Sequence, residues 1–290
     1  MKKSISAMQV IIIVTLLISA LVCLYPLWYT LIVSFSNKAH VSAGRVWLLP
    51  SGWNVSAYKK LLSDTQFFRS FLVSVLRTGL GCGVNMLLLM LAAYPLCLPR
   101  GHFKLQKPYM WFFVLNMLFS GGMIPAYMVI RFYNLFDSIW ALILPGSVPI
   151  YYLIMLIRFF KNVPFELNEA ATVDGANPWK ILIRVYLPVS LPSLACVLLF
   201  CFVIHWNSYF DGLLYINDSA KQPLQTYIYQ ISAILNPQTM TTEQLIEASR
   251  ISDLTLNSAK VIVALIPIMT FYPFLQKYFV TGMTIGAVKG

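Results

Sequence analysis

Six apolar stretches constrain this chain more than any other feature, because each exceeds the roughly 20 residues that carry a helix across bilayer hydrocarbon. They cover residues 8–35, 71–98, 109–130, 138–160, 191–214 and 258–280. In lipid no water satisfies a free backbone N–H or C=O, so a spanning segment of this length must be helical. Composition agrees: 59% of the 290 residues are hydrophobic and 11% are charged, against about 25% charged in soluble domains. The expected fold class is an all-α polytopic membrane protein with six transmembrane helices.

An even number of spans puts both termini on one side. Lys2, Lys3 and the compact Arg100–Lys107 loop place that side in the cytoplasm by the positive-inside rule. Residues 37–70 and 215–257 are then extracytoplasmic, and 161–190 is cytoplasmic. Within the second outer segment, Thr241 and Gln244 have capping-box spacing, which predicts a helix over Thr241–Arg250. The first apolar run is too long for the core of a secretory signal. Cys23, preceded by Ala20, Leu21 and Val22, lacks the small residue of a lipoprotein cleavage site. That run is read as a retained first helix.

The net charge of +11 does not point to nucleic acid. The basic residues are scattered among short loops instead of forming a groove with stacking aromatics; membrane lipid headgroups are the partner they suit. Cys23, Cys82, Cys97, Cys196 and Cys201 all lie in apolar runs without a CxxC pair. They indicate neither a disulfide framework nor a zinc site. No G-x-x-x-x-G-K-[ST] occurs, so the chain cannot hold a triphosphate by that loop. No metal-ligand or serine–base arrangement appears in the spans, and an enzyme is not expected.

Residues 161–190 are polar and cappable in a chain otherwise suited to lipid. Pro164 suits the first turn of a helix, with Glu166 and Glu169 near the positive end of its dipole. Gly175 is placed to end that helix. Asn177-Pro178 reads as the cap and first residue of a second helix through Tyr186, closed by Leu187-Pro188. Such a helix-turn-helix either lies on headgroups or docks another protein. Glu166, Glu169 and Asp174 sit poorly beside anionic lipid, whereas Ala170 and Ala171 let a protein surface come close, which favours docking.

Within the spans, Arg77 carries an insertion cost of ~2.5–3.5 kcal/mol. It either lines a pathway and hydrogen-bonds a polyol, or snorkels to the interface. Asn85 and Asn116 have a pathway reading and a helix-joining one. His205, Trp206, Asn207, Tyr209 and Asp211 combine aromatic faces with polar tips, as a sugar path requires. They also suit an interfacial belt; Asn207 is the strongest pathway residue of the group. Ser120-Gly121-Gly122 reads as a flexible or closely packed point within the third helix. The rival function is a self-contained secondary transporter or channel, whose ion-coupling carboxylate would be Asp211. The lack of an internal repeat counts against it.

Glu169-Ala170-Ala171, three residues, Gly175, nine residues, Val185, one residue and Leu187-Pro188 together resemble the EAA loop of bacterial ABC-importer permeases, with Val185 where isoleucine is usual. Phe119–Pro125 (FSGGMIP), Trp140–Gly146 (WALILPG), Trp206-Asn207 and the tail Gly282–Gly290 are similar to MalG-type carbohydrate permeases, in particular the LplC/YtcP branch. The resemblance implies the type I permease fold in a bacterial plasma membrane. It implies a second homologous permease, two cytoplasmic ATPase subunits and an extracellular solute-binding lipoprotein that delivers a mono- or oligosaccharide. Residues 161–190 would form the coupling helices, with Glu169 as charged anchor and Gly175 as the shaping turn. The chain itself would bind no cofactor; ATP and Mg would be used by the partner subunits.

Overall fold

The computed structural model describes residues 7–233 and 254–287. Three uninterrupted helices are long and apolar enough to cross a bilayer: α1 (Ala7–Ser34), α4 (Thr65–Cys97) and the last helix, α15 (Leu254–Ala287). Three helix pairs bent at short breaks raise the number of passes to as many as six, the third of them joining residues 178–189 to 191–207 at 86°. No strand occurs among the described residues.

The expected third, fourth and fifth helices are each broken, and local chemistry explains where. The third divides into α5 (Gln106–Leu118) and α6 (Met123–Phe132), bent by 113°. Gly122 there has φ 83°, a conformation glycine adopts without penalty, and the Ser120 hydroxyl accepts the Gly122 N–H at 3.2 Å. The Ser-Gly-Gly stretch is therefore a break in the helix, not a packed point within it. The fourth divides into α7 (Ile139–Ile143), continued by a 3₁₀ turn to Gly146, and α8 (Ile150–Lys161), bent by 54°. Pro149 drives this break, since the residue before a proline is pushed out of the helical region. The fifth divides into α12 (Leu191–Asn207) and α13 (Phe210–Tyr215) at Ser208 and Tyr209.

Boundaries also move. Helix α4 begins at Thr65, before the expected Phe71, because the Asp64 carboxylate accepts the Phe67 N–H at 3.0 Å and caps it. Helix α15 begins at Leu254 instead of Ser258. The segments between hold α2 (Lys38–Ser42), α3 (Ser56–Leu62) and α14 (Leu224–Ala233). The expected helix over Thr241–Arg250 lies outside the described residues, as does the end of the Gly282–Gly290 tail.

The chain forms two compact units, Met1–Phe67 with Ile228–Ile266 and Phe68–Tyr227 with Pro267–Gly290. In the first, Ile32 and Val33 at the end of α1 bury against Val46. Phe35 stacks on Trp53 and Tyr58, each at 4.9 Å. Lys260 meets the capping residue Asp64 at 2.6 Å. The rest of α1, from Met8 to Tyr29, is exposed.

The second unit has the main core. Leu89, Ala93 and Leu96 of α4 pack with Leu153, Leu156, Ile157 and Phe160 of α8 and with Val197 and Cys201 of α12. The α8 positions recur at i, i+3, i+4 and i+7, one stripe of a helix. Lipid tails are as apolar as leucine, so this core is held by close packing and not by escape from water.

Candidate functional site

The segment after α8 folds as α9 (Phe165–Val173), α10 (Pro178–Ile181), a π turn over Leu182–Tyr186 and α11 (Leu187–Val189). Pro164 takes the cap of α9, one residue before its expected place in the first turn. At the other end Gly175 has φ 74°. Its N–H donates to the Thr172 carbonyl at 3.0 Å, and the Ala176 N–H donates to the Ala171 carbonyl at 2.9 Å. This bond pair is a Schellman motif, with Ala171 and Ala176 as its apolar contact. Ala171 thus supplies both the carbonyl and the methyl that close the helix beneath the glycine.

Asn177 then caps α10 by accepting the Lys180 N–H at 2.9 Å, with Pro178 as first helical residue. The helix was expected to close at Leu187-Pro188; instead it continues to Val189. A proline inside a helix clashes with the carbonyl four residues back. Here the π turn, with the Leu187 N–H reaching back to Leu182, widens the backbone directly upstream of Pro188.

The inner side of this segment is held by residues that the sequence reading missed. Asn168 is buried and accepts the Tyr94 hydroxyl of α4 at 3.3 Å. Ile181, Leu182 and Tyr186 enter the main core, where Tyr186 meets Tyr94 at 5.1 Å and Phe160 at 5.5 Å, both edge-on. The outer side exposes Glu166, Glu169, Ala170, Asp174 and Gly175. Beside them Val173 is 88% and Trp179 60% exposed. An unburied tryptophan after Asn-Pro was a usable signal for an exposed apolar surface.

The pathway residues separate into two groups. Arg77 of α4 is only 2% exposed, so it does not snorkel. Its guanidinium forks onto the Asp211 carboxylate, with Nη1 at 3.2 Å from Oδ1 and Nη2 on Oδ2. It also donates to the carbonyls of Ser208 at 3.1 Å and Leu142 at 3.4 Å. Asp211 further accepts the Ser208 hydroxyl and the Gly212 N–H, each at 2.9 Å. One ion pair therefore ties α4 to the break between α12 and α13 and to α7.

Thr78 and Asn85 of α4 and His205 of α12 are also buried. Arg77 Nε, Thr78 Oγ1, Asn85 Oδ1 and both His205 ring nitrogens have no partner among the described residues. The imidazole fits only because residue 81 is glycine: a Cβ there would stand 2.6 Å from it. Trp206 is buried between Phe71 and Phe202 and forms no interfacial belt. It helps wall a 540 Å³ apolar cavity with Val75, Thr78, Cys82, Leu198 and Phe202. Asn207 and Tyr209 are exposed. Asn116 is also exposed and donates to the Phe112 carbonyl of its own helix at 2.7 Å, so it joins no second helix.

Between α6 and α7, Asp137 (φ 56°) makes a second tie to α13. Its N–H donates to the Tyr215 carbonyl at 3.0 Å. Its carboxylate accepts the N–H of Asn217 at 2.6 Å and of Asp218 at 2.8 Å. These donors, Asp218 foremost, hold the Asp137 carboxyl below the usual carboxylate range.

Residues 6–285 match the model of the binding-protein-dependent transport system inner membrane component family. The chain belongs to this family of permeases. Over 275 residues the permease is 38% identical to the polygalacturonan/rhamnogalacturonan transport system permease protein YtcP of Bacillus subtilis strain 168, covering 95% of this chain and 96% of that one. It is also 38% identical to protein LplC of the same organism over 269 residues, covering 93% and 90%. Among solved structures, the permease matches a bacterial ABC transporter involved in the import of the acidic polysaccharide alginate. The TM-score is 0.84 and the identity 29%, over 96% of this chain and 99% of that chain. The six-helix permease expectation and the multi-pass membrane assignment stand on these matches together with the spans.

Proposed function

We propose that this permease is the membrane subunit of an ATP-driven importer that moves a mono- or oligosaccharide delivered by an extracellular solute-binding lipoprotein. It pairs with a second homologous permease and two cytoplasmic ATPase subunits, which bind and hydrolyse ATP with Mg; both its own termini are cytoplasmic. The relatives' substrates, polygalacturonan, rhamnogalacturonan and alginate, make an acidic saccharide a natural first ligand to test.

The observation that carries this reading is the two-sided build of residues 165–189. Its inner side is keyed into the α4–α8 core through Asn168, Ile181 and Tyr186, while Glu166, Glu169, Asp174, Val173 and Trp179 face outward. A surface of this kind converts a push from outside into movement of α4 and α8. Contact alone drives nothing: the ATPases must bind the segment differently in the two transport states. Arg77, Asn85, His205, Trp206, Asn207, Tyr209 and Asp211 line or brace the pathway, with Asn207 and Tyr209 available to solvent or substrate and the rest inside. In the rival secondary transporter, Asp211 would have to release a coupling ion, yet its carboxylate is engaged by Arg77, Ser208 and Gly212.

The test is Glu169→Lys in the full chain purified from its native membrane, with co-purifying proteins identified by mass spectrometry. The variant should reach the membrane and lose most of its ATPase. Normal ATPase recovery with normal uptake would remove the coupling role, and a wild-type chain that purifies alone and still transports would remove the importer reading.

A further inference from the structure

Three membrane helices of the second unit end around one small cavity, and all three ends are basic. Arg100 follows α4 three residues after Cys97, Lys107 is the second residue of α5, and Lys161 is the last of α8. The cavity holds about 450 Å³ and is walled by these cations together with Leu98, Gln106 and Met110. Among the described residues none of the three cations is ion-paired; the pairs present are Arg77–Asp211, Lys221–Asp218 and Lys260–Asp64.

Helix ends normally weaken such a positive field, because their unpaired carbonyls are partly negative. Here Gln106 reduces that opposition at the end of α4. Its side-chain amide donates to the Leu96 carbonyl at 2.9 Å and the Leu98 carbonyl at 2.8 Å. The cations are left facing a concave space whose other wall is aliphatic. Cations where helices leave hydrocarbon stand at the depth of lipid phosphates, and an aliphatic wall suits the glycerol end of an acyl chain.

We propose that this cavity binds the headgroup of one anionic phospholipid, with Arg100, Lys107 and Lys161 on its phosphate and Leu98 and Met110 against the start of its tails. The site belongs to the cytoplasmic leaflet on the topology of the proposed function, and the negative surface potential there supplies the ligand. It differs from the docking surface of α9 and α10, where carboxylates face outward.

The test uses the full chain, with whatever subunits accompany it, in phosphatidylcholine nanodiscs containing phosphatidylglycerol, followed by native mass spectrometry. Wild type should retain phosphatidylglycerol over phosphatidylcholine. The triple variant Arg100→Gln, Lys107→Gln, Lys161→Gln should lower that ratio on the order of a hundredfold, since each basic residue near an anionic surface contributes roughly fivefold. If the triple variant fails to accumulate, the single variants carry the test at about fivefold each.

Unchanged retention in the variants would overturn the site. Displacement of the lipid by inorganic phosphate alone would mark it as a free-anion site and overturn the lipid assignment. Loss of the ATPase with lipid retention intact would give the three cations to the ATPase instead. A chain that keeps its lipid but brings down neither a second permease nor an ATPase would sink the importer reading while sparing this one.

Discussion

Residues 165–189 and the Arg77–Asp211 cluster both place polar groups in a chain built for lipid, but they are stabilised at different ranges. In residues 165–189 the turns close within five residues, with the Lys180 N–H on Asn177, the Gly175 N–H on the Thr172 carbonyl and the Ala176 N–H on the Ala171 carbonyl, while Asn168 reaches to α4 at Tyr94. Arg77 instead finds its partners 131 and 134 positions away, at Ser208 and Asp211. Local satisfaction lets a segment move as a body without exposing orphan groups. Distant satisfaction makes two helices depend on each other. Arg77 and Asp211 thus hold distant helices together, whereas residues 165–189 close their turns on themselves.

Breaking the distant pair should cost most. Asp211→Ala leaves a guanidinium buried without its counter-charge and should destabilise the permease by about 3 kcal/mol, the low end for a broken buried pair because Asp211 is 23% exposed. Unfolding in mixed micelles measures this, and the double change Arg77→Met, Asp211→Leu should recover most of the loss. A double variant as unstable as the single one would mean that the pair's geometry, not its charge balance, holds the helices.

Next is Gly81→Ala, which drives a methyl into His205 and should cost about 1–3 kcal/mol as an overpacked site. Adding His205→Ala should return much of it; failure to do so would place the clash elsewhere. Gly175→Ala should cost about 1–2 kcal/mol, the penalty of a side chain in the left-handed region. It should loosen ATPase retention more than it lowers the midpoint of the main core, which is where the comparison would sharpen.

The smallest effect concerns Asp137. Its folded carboxyl titrates below its unfolded value of about 3.9. Its stabilisation is therefore full above that value and lost as pH falls through the lower, folded one. Wild type and Asp137→Asn should differ in unfolding midpoint near neutral pH and converge in acid. A gap that persists unchanged at the lowest pH would show that the carboxylate's charge is irrelevant to the tie.

Six spans and the turn at Gly175 were legible in the sequence because each is written in a short window: apolar length for the spans, glycine and alanine spacing for the turn. The three helix breaks were legible only in part. Pro149 and Gly122 stood in view, but apolar periodicity runs through a kink without change. The Arg77–Asp211 pair was beyond reach, since no local pattern encodes a partner on another helix. Asn168 and Trp179 were passed over for a different reason, their neighbours being charged and more conspicuous.

Helix α1 stands apart from both regions. From Met8 to Tyr29 its residues are exposed, with Trp28 donating to the Leu48 carbonyl at 3.1 Å, yet its backbone must stay hydrogen-bonded wherever hydrocarbon surrounds it. The solvent, then, keeps this helix folded, and the rest of the polypeptide does not. Its side chains answer to the bilayer or to a neighbouring subunit, so apolar residues should exchange freely along it at little cost to the remainder of the molecule.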